Sequence, residues 1–161
     1  MLLKFIGLSI TFLLPTLVIG KTERPIMKPI RSFEIVIQHG SSYEPHTRVT
    51  RVGSDGKITR EYTTFAGRER TDRKKGEISP EDIERIRKAL AETDVTSLKD
   101  SYQGHAHDYG TDTISIRVDD VTKSVDFKNE PEHPPKLMTL EDLIREIENK
   151  VLGQVQLPGQ K

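Results

Sequence analysis

Two histidines and two aspartates lie close together in GHAHDYGTD, the segment that begins at Gly104. Imidazole and carboxylate groups are ligands that zinc accepts, and an extended backbone would point His105 and His107 to the same side. No HExxH motif is present, and the chain has no cysteine. Two interpretations stay open: a zinc site formed by His105, His107 and either Asp108 or Asp112, or a polar loop in which Asp112 accepts hydrogen bonds from backbone N–H groups at a strand start. No other cofactor is predicted.

Two further histidines, His39 and His46, flank the connection after the first predicted strand. If strands one and three run upward, that connection lies at the top and the first helix descends. The segment 94–111 then starts at the bottom, away from both histidines. An additional strand within residues 63–74 would reverse the helix, and the sequence leaves this alternative open. His133 stands among prolines and is predicted to be exposed.

Residues of the kind used in nucleophilic catalysis occur without the arrangement that catalysis requires. Ser41 and Ser42 lie beside His39, but no nucleophile-elbow pattern surrounds them. The carboxylate pairs at 119–120 and 141–142 are explained by a hairpin tip and by the positive end of a helix. No P-loop or GxGxxG motif indicates a nucleotide site. We therefore predict that the protein is not an enzyme.

Apolar residues alternate with polar ones in five segments, which is the period of a strand with one buried face. Asp55-Gly56 is a hairpin cue between the second and third segments, and Asp119-Asp120 is the polar tip of a later hairpin. The predicted strands are 32–38, about 47–52, 57–65 and the two arms of the hairpin over 112–127.

Two helices have recognisable start signals. Ser79 is the predicted N-cap and Pro80 the first residue of a helix that ends near Thr93. Thr139 is the predicted N-cap of a second helix, and Gly153 follows its last turn. Each helix has one apolar stripe, which indicates one buried face.

The segment 68–77 has five basic and three acidic residues and no apolar one. It is interpreted either as a solvated loop or as a mobile basic loop that contacts an acidic partner, and charge alone does not distinguish the two.

The order strand, strand, strand, helix, strand, strand, helix predicts an α+β fold. We expect a two-layer sandwich in which a mostly antiparallel sheet of about five strands carries both helices on one face. The single domain is expected over residues 32–153, after an exposed leader at 21–31 and before a disordered tail at 154–161.

The N-terminus has the features of a secretory signal. Lys4 precedes an apolar run from Phe5, short side chains end the run at Val18-Ile19-Gly20, and charge begins with Lys21. The run is shorter than the ~20 apolar residues that a membrane span needs. We predict a signal peptide over residues 1–20 and a secreted or periplasmic protein, with an uncleaved anchor as the alternative. No membrane association is predicted after removal of the signal.

The composition argues against nucleic-acid binding. Basic and acidic residues each number 25, so the formal net charge is zero, and aromatic residues make up only 6% of the chain. Nucleic-acid binders concentrate positive charge, and single-strand binders add aromatic platforms for the bases.

The order of landmarks from about residue 33 to residue 151 resembles a family of small secreted bacterial domains of unknown function. The matching pieces are Asp55-Gly56, Ile78-Ser79-Pro80-Glu81, Leu98 with Tyr102, and Thr111-Asp112-Thr113. That family has a Cys-x-x-Cys-Pro-x-Tyr segment where this chain has Ser41-Ser42-Tyr43-Glu44-Pro45-His46, so the redox or disulfide role that the cysteines imply does not carry over. The fold is also similar in outline to emfourin, a small inhibitor of metalloproteases.

We therefore expect a non-enzymatic protein that binds a protein partner through two long polar loops, at 68–77 and 99–111. Protease inhibition is a special case of this function. The alternative, from another class, is a metal-binding protein that uses the histidine and aspartate residues of the segment 104–112.

Overall fold

The computed structural model describes residues 29–40, 46–65, 68–105, 110–129 and 131–154. Its strands are β1 Phe33–Gly40, β2 His46–Gly53, β3 Lys57–Thr64, β4 Arg70–Glu77, β5 Ser101–Gln103, β6 Thr111–Val118 and β7 Val121–Lys128. The helices are α1 Pro80–Thr93 and α2 Pro135–Leu152, and a short 3₁₀ helix, Val95–Ser97, follows α1.

The seven strands form one sheet in the order β4-β3-β2-β1-β6-β7-β5. All neighbours are antiparallel except β5 and β7, which run parallel. Strand β1 lies in the middle, with Ile35 opposite both Val52 of β2 and Ile116 of β6. We take the direction of β1 as upward, so that β6 and β2 run downward.

The hydrophobic core lies between one face of the sheet and the two helices. Every second residue of the central strands is buried, as the period of a pleated strand requires. The two helices contribute one stripe each, with Ile86 and Leu90 from α1 and Ile144 and Ile147 from α2. Buried core residues from the sheet include Phe33, Ile35, Ile37, Val52, Ile58, Ile114, Ile116, Val125 and Phe127.

The α+β class and the mostly antiparallel sheet are as predicted, but the expected number of five strands is wrong, because β4 and β5 form as well. Strand β4 occupies most of the segment that was interpreted as a loop. It has no apolar alternation because it is an edge strand whose residues are exposed, except for half-buried Gly76. All eight of its residues pair with β3, so backbone hydrogen bonds rather than side-chain burial hold it in place.

Gly76 is the point where β4 touches the core. A Cβ atom at this position would lie 2.3 Å from Val151 Cγ1 and 2.9 Å from Leu152 Cδ2. The last turn of α2 therefore packs directly on the backbone of the edge strand, and only glycine leaves room for it.

The predicted start of α1 is confirmed. Ser79 is the N-cap, its Oγ accepts a hydrogen bond from Asp82 N over 3.2 Å, and Pro80 is the first helical residue. The Ser79 hydroxyl also donates to Asp82 Oδ2 over 2.9 Å. The helix ends at Thr93, as expected, where Asp94 adopts a left-handed conformation with φ of 44°.

Helix α2 starts earlier than predicted. Its first residue is Pro135 after the N-cap Pro134, whereas Thr139 lies within the helix and donates its hydroxyl to Pro135 O. Proline at the first helical position fixes a helical φ and lacks only an N–H that would have had no partner. This local geometry outweighs the capping pattern at Thr139.

The hairpin β6–β7 forms as expected, with Asp119 at its tip in a left-handed conformation with φ of 49°. The predicted signal peptide and most of the leader and the tail lie outside the described residues. Of the leader, Ile30 packs against the core. Neither α1 nor α2, the helices of the described part of the chain, has the length and apolarity of a membrane-spanning helix.

Candidate functional site

The predicted zinc ligands are not gathered into one cluster among the described residues. Asp112 Oδ2 lies 3.0 Å from His39 Nδ1, across the pairing of β1 with β6, and each side chain is about a third exposed. His105 is exposed at the end of the segment after β5, while His107 and Asp108 lie outside the described residues. Within the described ranges, no three histidine, aspartate or glutamate side chains converge as a metal site requires.

The sequence left open whether His39 meets the segment 94–111. Asp112, after the end of this segment, lies beside His39, although the segment starts at the lower end of the sheet, where Val95 and Thr96 lie near Asp119. The additional strand that would reverse α1 is present as β4, and α1 starts at the lower end of the sheet, where Ile78 N donates to Gly56 O. The chain then returns upward along β5, and Gly104 N donates to Lys128 O at the upper end. His39 and Asp112 therefore meet because β5 carries the chain to the upper end of the sheet and β6, which starts there, pairs antiparallel with β1.

Glu148 of α2 is a buried carboxylate under the sheet, with 1% of its surface exposed. Arg48 Nη2 donates to its Oε2 over 2.5 Å, and Thr50 Oγ1 donates to the same oxygen over 3.1 Å. Buried Arg60 donates to Oε1 over 3.1 Å and to Gly153 O over 3.0 Å. Both carboxylate oxygens are thus engaged by β2 and β3, so Glu148 fixes α2 on the sheet.

Glu141 lies two turns before Glu148 on the same helix. Its Oε2 is 2.7 Å from His133 Nδ1, and the His133 ring stacks on Phe127 at a centroid distance of 3.8 Å. His133 is therefore a packed residue, and the prediction that it is exposed is wrong. The proline-rich segment before α2 folds back over the core instead of extending into solvent.

A small cavity separates Glu141 from Arg48. Glu141 Oε1 and Arg48 Nε are buried without a hydrogen-bond partner among the described residues. The cavity beside them, which is also lined by His39 and Glu148, has a volume of about 10 Å³. That space accommodates one water molecule, which would satisfy both groups, and is too small for an organic ligand.

Asp82 joins the two helices. Lys150 Nζ donates to its Oδ2 over 2.8 Å and Arg85 Nη1 donates to its Oδ1 over 2.9 Å. These hydrogen bonds, first that from Lys150 and then those from Ser79 and Arg85, lower the pKa of Asp82 to about 2 against the opposing effect of burial. The carboxylate stays ionised at neutral pH and serves the packing of α1 on α2.

An open groove of about 400 Å³ lies at the lower end of the sheet. Its walls come from three separate parts of the chain: the segment before β1, the end of α1 with the 3₁₀ helix, and the β6–β7 hairpin. The apolar lining residues are Ile30, Leu90, Ala91, Val95, Val118 and Val121. Val121 is 43% exposed.

The rim of this groove is acidic. Asp119 and Asp120 stand at the hairpin tip, and Arg31 is the basic residue next to Asp119. Asp119 Oδ1 accepts hydrogen bonds from Arg31 N over 3.0 Å and from Ser32 N over 2.9 Å. The bond from Ser32 is the main reason that the pKa of Asp119 is lowered, so the rim stays negatively charged at neutral pH.

Sequence reasoning did not find the groove or the Glu148 cluster. The groove is formed by residues that are far apart in the chain, and no local pattern brings them together. The Glu148 cluster had a readable signal: Arg60 follows Ile58 at a core-facing position of β3, and Glu148 follows Ile144 at helical spacing. Two residues of opposite charge, each at a core-facing position, indicate a buried ion pair.

Comparison with known proteins gives a family without an assigned activity. The model of a Domain of unknown function (DUF6438) matches residues 45–148. No curated protein matches the chain significantly. The matched range contains β2 to β7, α1 and most of α2. Because it covers more than half of the sequence, the chain belongs to the DUF6438 family of domains of unknown function.

Proposed function

We propose that the chain is an exported, non-enzymatic domain, secreted or periplasmic, that binds a protein partner in the groove at the lower end of the sheet. The observation that carries this proposal is the groove itself, with its volume of about 400 Å³ and the exposed Val121 on its wall. Ligand sites in proteins are typically concave, mostly apolar and of about 300–1,000 Å³. The buried carboxylates Glu148 and Asp82, by contrast, are engaged by side chains of this chain.

The lining of the groove indicates the chemistry of the partner. The apolar wall favours one or two apolar side chains, and two carboxylates against one guanidinium on the rim favour a neighbouring cation. The partner segment is therefore a short stretch of protein in which an apolar residue stands next to lysine or arginine.

A selection from a peptide library displayed on phage tests this directly. The purified exported protein is immobilised, and enriched peptides are sequenced and measured by fluorescence anisotropy. We expect enrichment of an apolar residue adjacent to lysine or arginine. No enrichment, or a consensus without a basic residue, would contradict the proposal.

Two variants locate the binding on the groove. Val121→Asp places a charge on the apolar wall and should lower the affinity for the enriched peptide about tenfold or more, which corresponds to about 1.4 kcal/mol of binding free energy. Thr122→Asp is the matched control, because Thr122 is the next residue of β7 and, by the alternation of the strand, faces the opposite side of the sheet. Equal weakening by both variants would place the peptide elsewhere.

Protease inhibition is a specific form of this function, motivated by the similarity in outline to emfourin. A panel of secreted proteases assayed with and without the purified protein tests it. Inhibition that is lost in Val121→Asp but kept in Thr122→Asp would identify the groove as the inhibitory surface. If no protease in the panel is inhibited, protease inhibition is excluded as the function, and the result of the peptide selection is unaffected.

The second candidate function is metal binding by His105, His107, Asp108 and Asp112. The observation in its favour is that His39, which lies in a separate strand, meets Asp112 at the same end of the sheet as His105. Zinc that binds the folded state raises the melting temperature by mass action. We expect such a rise to disappear in the His105→Ala, His107→Ala double variant and to shrink in His39→Ala. A melt that zinc and chelator leave unchanged would eliminate this candidate.

A further inference from the structure

Strand β4, at one end of the sheet, is an open edge. It pairs with β3 along its whole length, and nothing in the described part of the chain pairs with its other side. Every residue from Arg70 to Glu77 is exposed except half-buried Gly76. The edge at the other end is β5, with three residues. An eight-residue edge with free backbone N–H and C=O groups is a template for another strand.

The charge of this edge is positive and is arranged on both faces. Arg73 and Lys75 point to the sheet face away from the helices, while Arg70 and Lys74 share a face with Gly76, which lies against α2. Against these four cations the strand has Asp72 and Glu77. Arg73 binds Glu61 of β3 over 3.0 Å and Lys74 donates to Leu152 O, whereas Arg70 and Lys75 form no ion pair with any described residue.

These charges oppose pairing of β4 with a second copy of itself. In a symmetric antiparallel pair of edges, directly opposite residues must lie on the same face of the joint sheet, so each register is centred on one residue. The two registers with the greatest overlap place Arg73 opposite Arg73, beside two pairs of Asp72 with Lys74, or Lys74 opposite Lys74, beside two pairs of Arg73 with Lys75. Like charges directly opposite each other destabilise a strand pair. Each register therefore has a like-charge pair at its centre, whereas an acidic strand would meet the cations Arg73 and Lys75.

We infer that β4 is a second binding surface, independent of the groove, and that it takes an extended acidic segment of another protein by strand addition. A segment with aspartate or glutamate at every second position would place one row of carboxylates on Arg73 and Lys75 and pair its backbone with β4. Backbone hydrogen bonds provide the affinity in this mode of recognition, and the side chains provide the specificity. The partner is defined by two properties together: an extended conformation and alternating negative charge.

The probe is a synthetic eight-residue peptide in which glutamate alternates with threonine and valine. Its binding to the purified protein is measured by fluorescence anisotropy, and the contact is mapped by amide shifts and hydrogen exchange. We expect shifts and new protection in residues 70–77. A second peptide of the same sequence, N-methylated at alternate residues, keeps every charge but cannot complete the backbone ladder, and we expect it to bind at least tenfold more weakly.

Charge variants complete the test. Arg73→Glu with Lys75→Glu reverses the two side chains on which the row of carboxylates would lie and should weaken the binding of the peptide at least tenfold. Lys88→Glu with Lys136→Glu, two exposed positions on the helices, changes the net charge equally and should alter affinity by less than twofold. Equal binding of the methylated peptide, equal effects of the two double variants, perturbation outside β4, or no binding at all would each overturn the inference. A dimer formed through β4 in sedimentation of the free protein would overturn the argument against self-pairing.

Discussion

At the scale of single residues, Glu148 is a buried carboxylate that three side chains of the sheet engage. Its carboxylate forms ion pairs with Arg60, which is 4% exposed, and with Arg48. Removing one member of a buried ion pair leaves the other charge desolvated, which costs more than the pair contributes.

We predict that Glu148→Gln lowers the free energy of unfolding by about 3 kcal/mol, because Arg60 and Arg48 then share a neutral partner in a buried position. Urea denaturation followed by circular dichroism measures this. The matched control is Glu146→Gln, two residues earlier on α2, where the pair with Arg85 is exposed and should contribute about 0–1 kcal/mol. Similar losses in both variants would show that the Glu148 cluster is not the fixing point of α2.

Asp82 gives the folded state a pH dependence with a known sign. Its pKa is about 2 in the folded protein, mainly because of Lys150, against an ordinary value of 3.8. The unfolded chain therefore binds the proton more readily. The contribution of Asp82 to stability is complete above about pH 4 and is lost as the pH falls towards 2.

We predict that Asp82→Asn lowers stability by about 1 to 2 kcal/mol at pH 7, a value reduced from the full pKa effect because Lys150 and Arg85 extend into solvent. The difference between the two proteins should shrink progressively as the pH falls from 4 towards 2. Urea midpoints at pH 7, 4 and 2.5 measure this decrease. Other carboxylates with lowered pKa titrate in both proteins and cancel in the comparison. A difference that persists at low pH would assign the loss to packing or capping instead of charge.

At the scale of elements, the contact between β4 and α2 is a close approach of backbone to side chains. We predict that Gly76→Ala costs about 1–3 kcal/mol, because the added methyl group overlaps Val151 and Leu152 at the end of α2. Thermal or urea unfolding measures the loss. In a Val151→Ala background the same substitution should cost clearly less, since the nearest atom has gone. An unchanged cost would mean that the backbone conformation of residue 76, and not the space above it, requires glycine.

The elements that the sequence predicted correctly are those whose information is local. The start of α1 is specified by Ser79, Pro80 and Asp82, and the β6–β7 hairpin is specified by alternating apolar residues. Both elements form as expected. Strand β4 has no buried face and therefore no apolar alternation. Strand β5 has three residues, fewer than any periodic signal needs.

The candidate site was less predictable than the fold for the same reason. Asp112 was identified as a functional candidate, but its neighbour His39 is set by the pairing of β1 with β6. The groove depends on where α1 ends relative to the β6–β7 tip. The first depends on the strand order and the second on the position of the end of α1, and no local sequence pattern specifies either of them.

At the scale of the whole molecule, the first strand and the last helix of the domain are both needed to complete the sheet and its core. Strand β1 lies between β2 and β6, and α2 contributes a large share of the buried apolar residues beneath it. A fragment of residues 21–100, which contains β1 to β4 and α1, exposes the β6 side of β1 and lacks α2. We predict that this fragment is unfolded at 25 °C. A proton–nitrogen correlation spectrum with dispersed peaks would instead show that the first half is an independent unit; the full chain is the reference.

The central position of β1 also has a consequence in time. Ile35 emerges early in synthesis, yet its partner Ile116 follows only after most of the domain has been made. At usual rates of elongation the interval is on the order of ten seconds, far longer than a hairpin or helix needs to form. During that interval one whole side of a strand containing Phe33, Ile35 and Ile37 has no neighbour. The rate of synthesis, and not the rate of any folding step, then determines how long this strand remains exposed to aggregation.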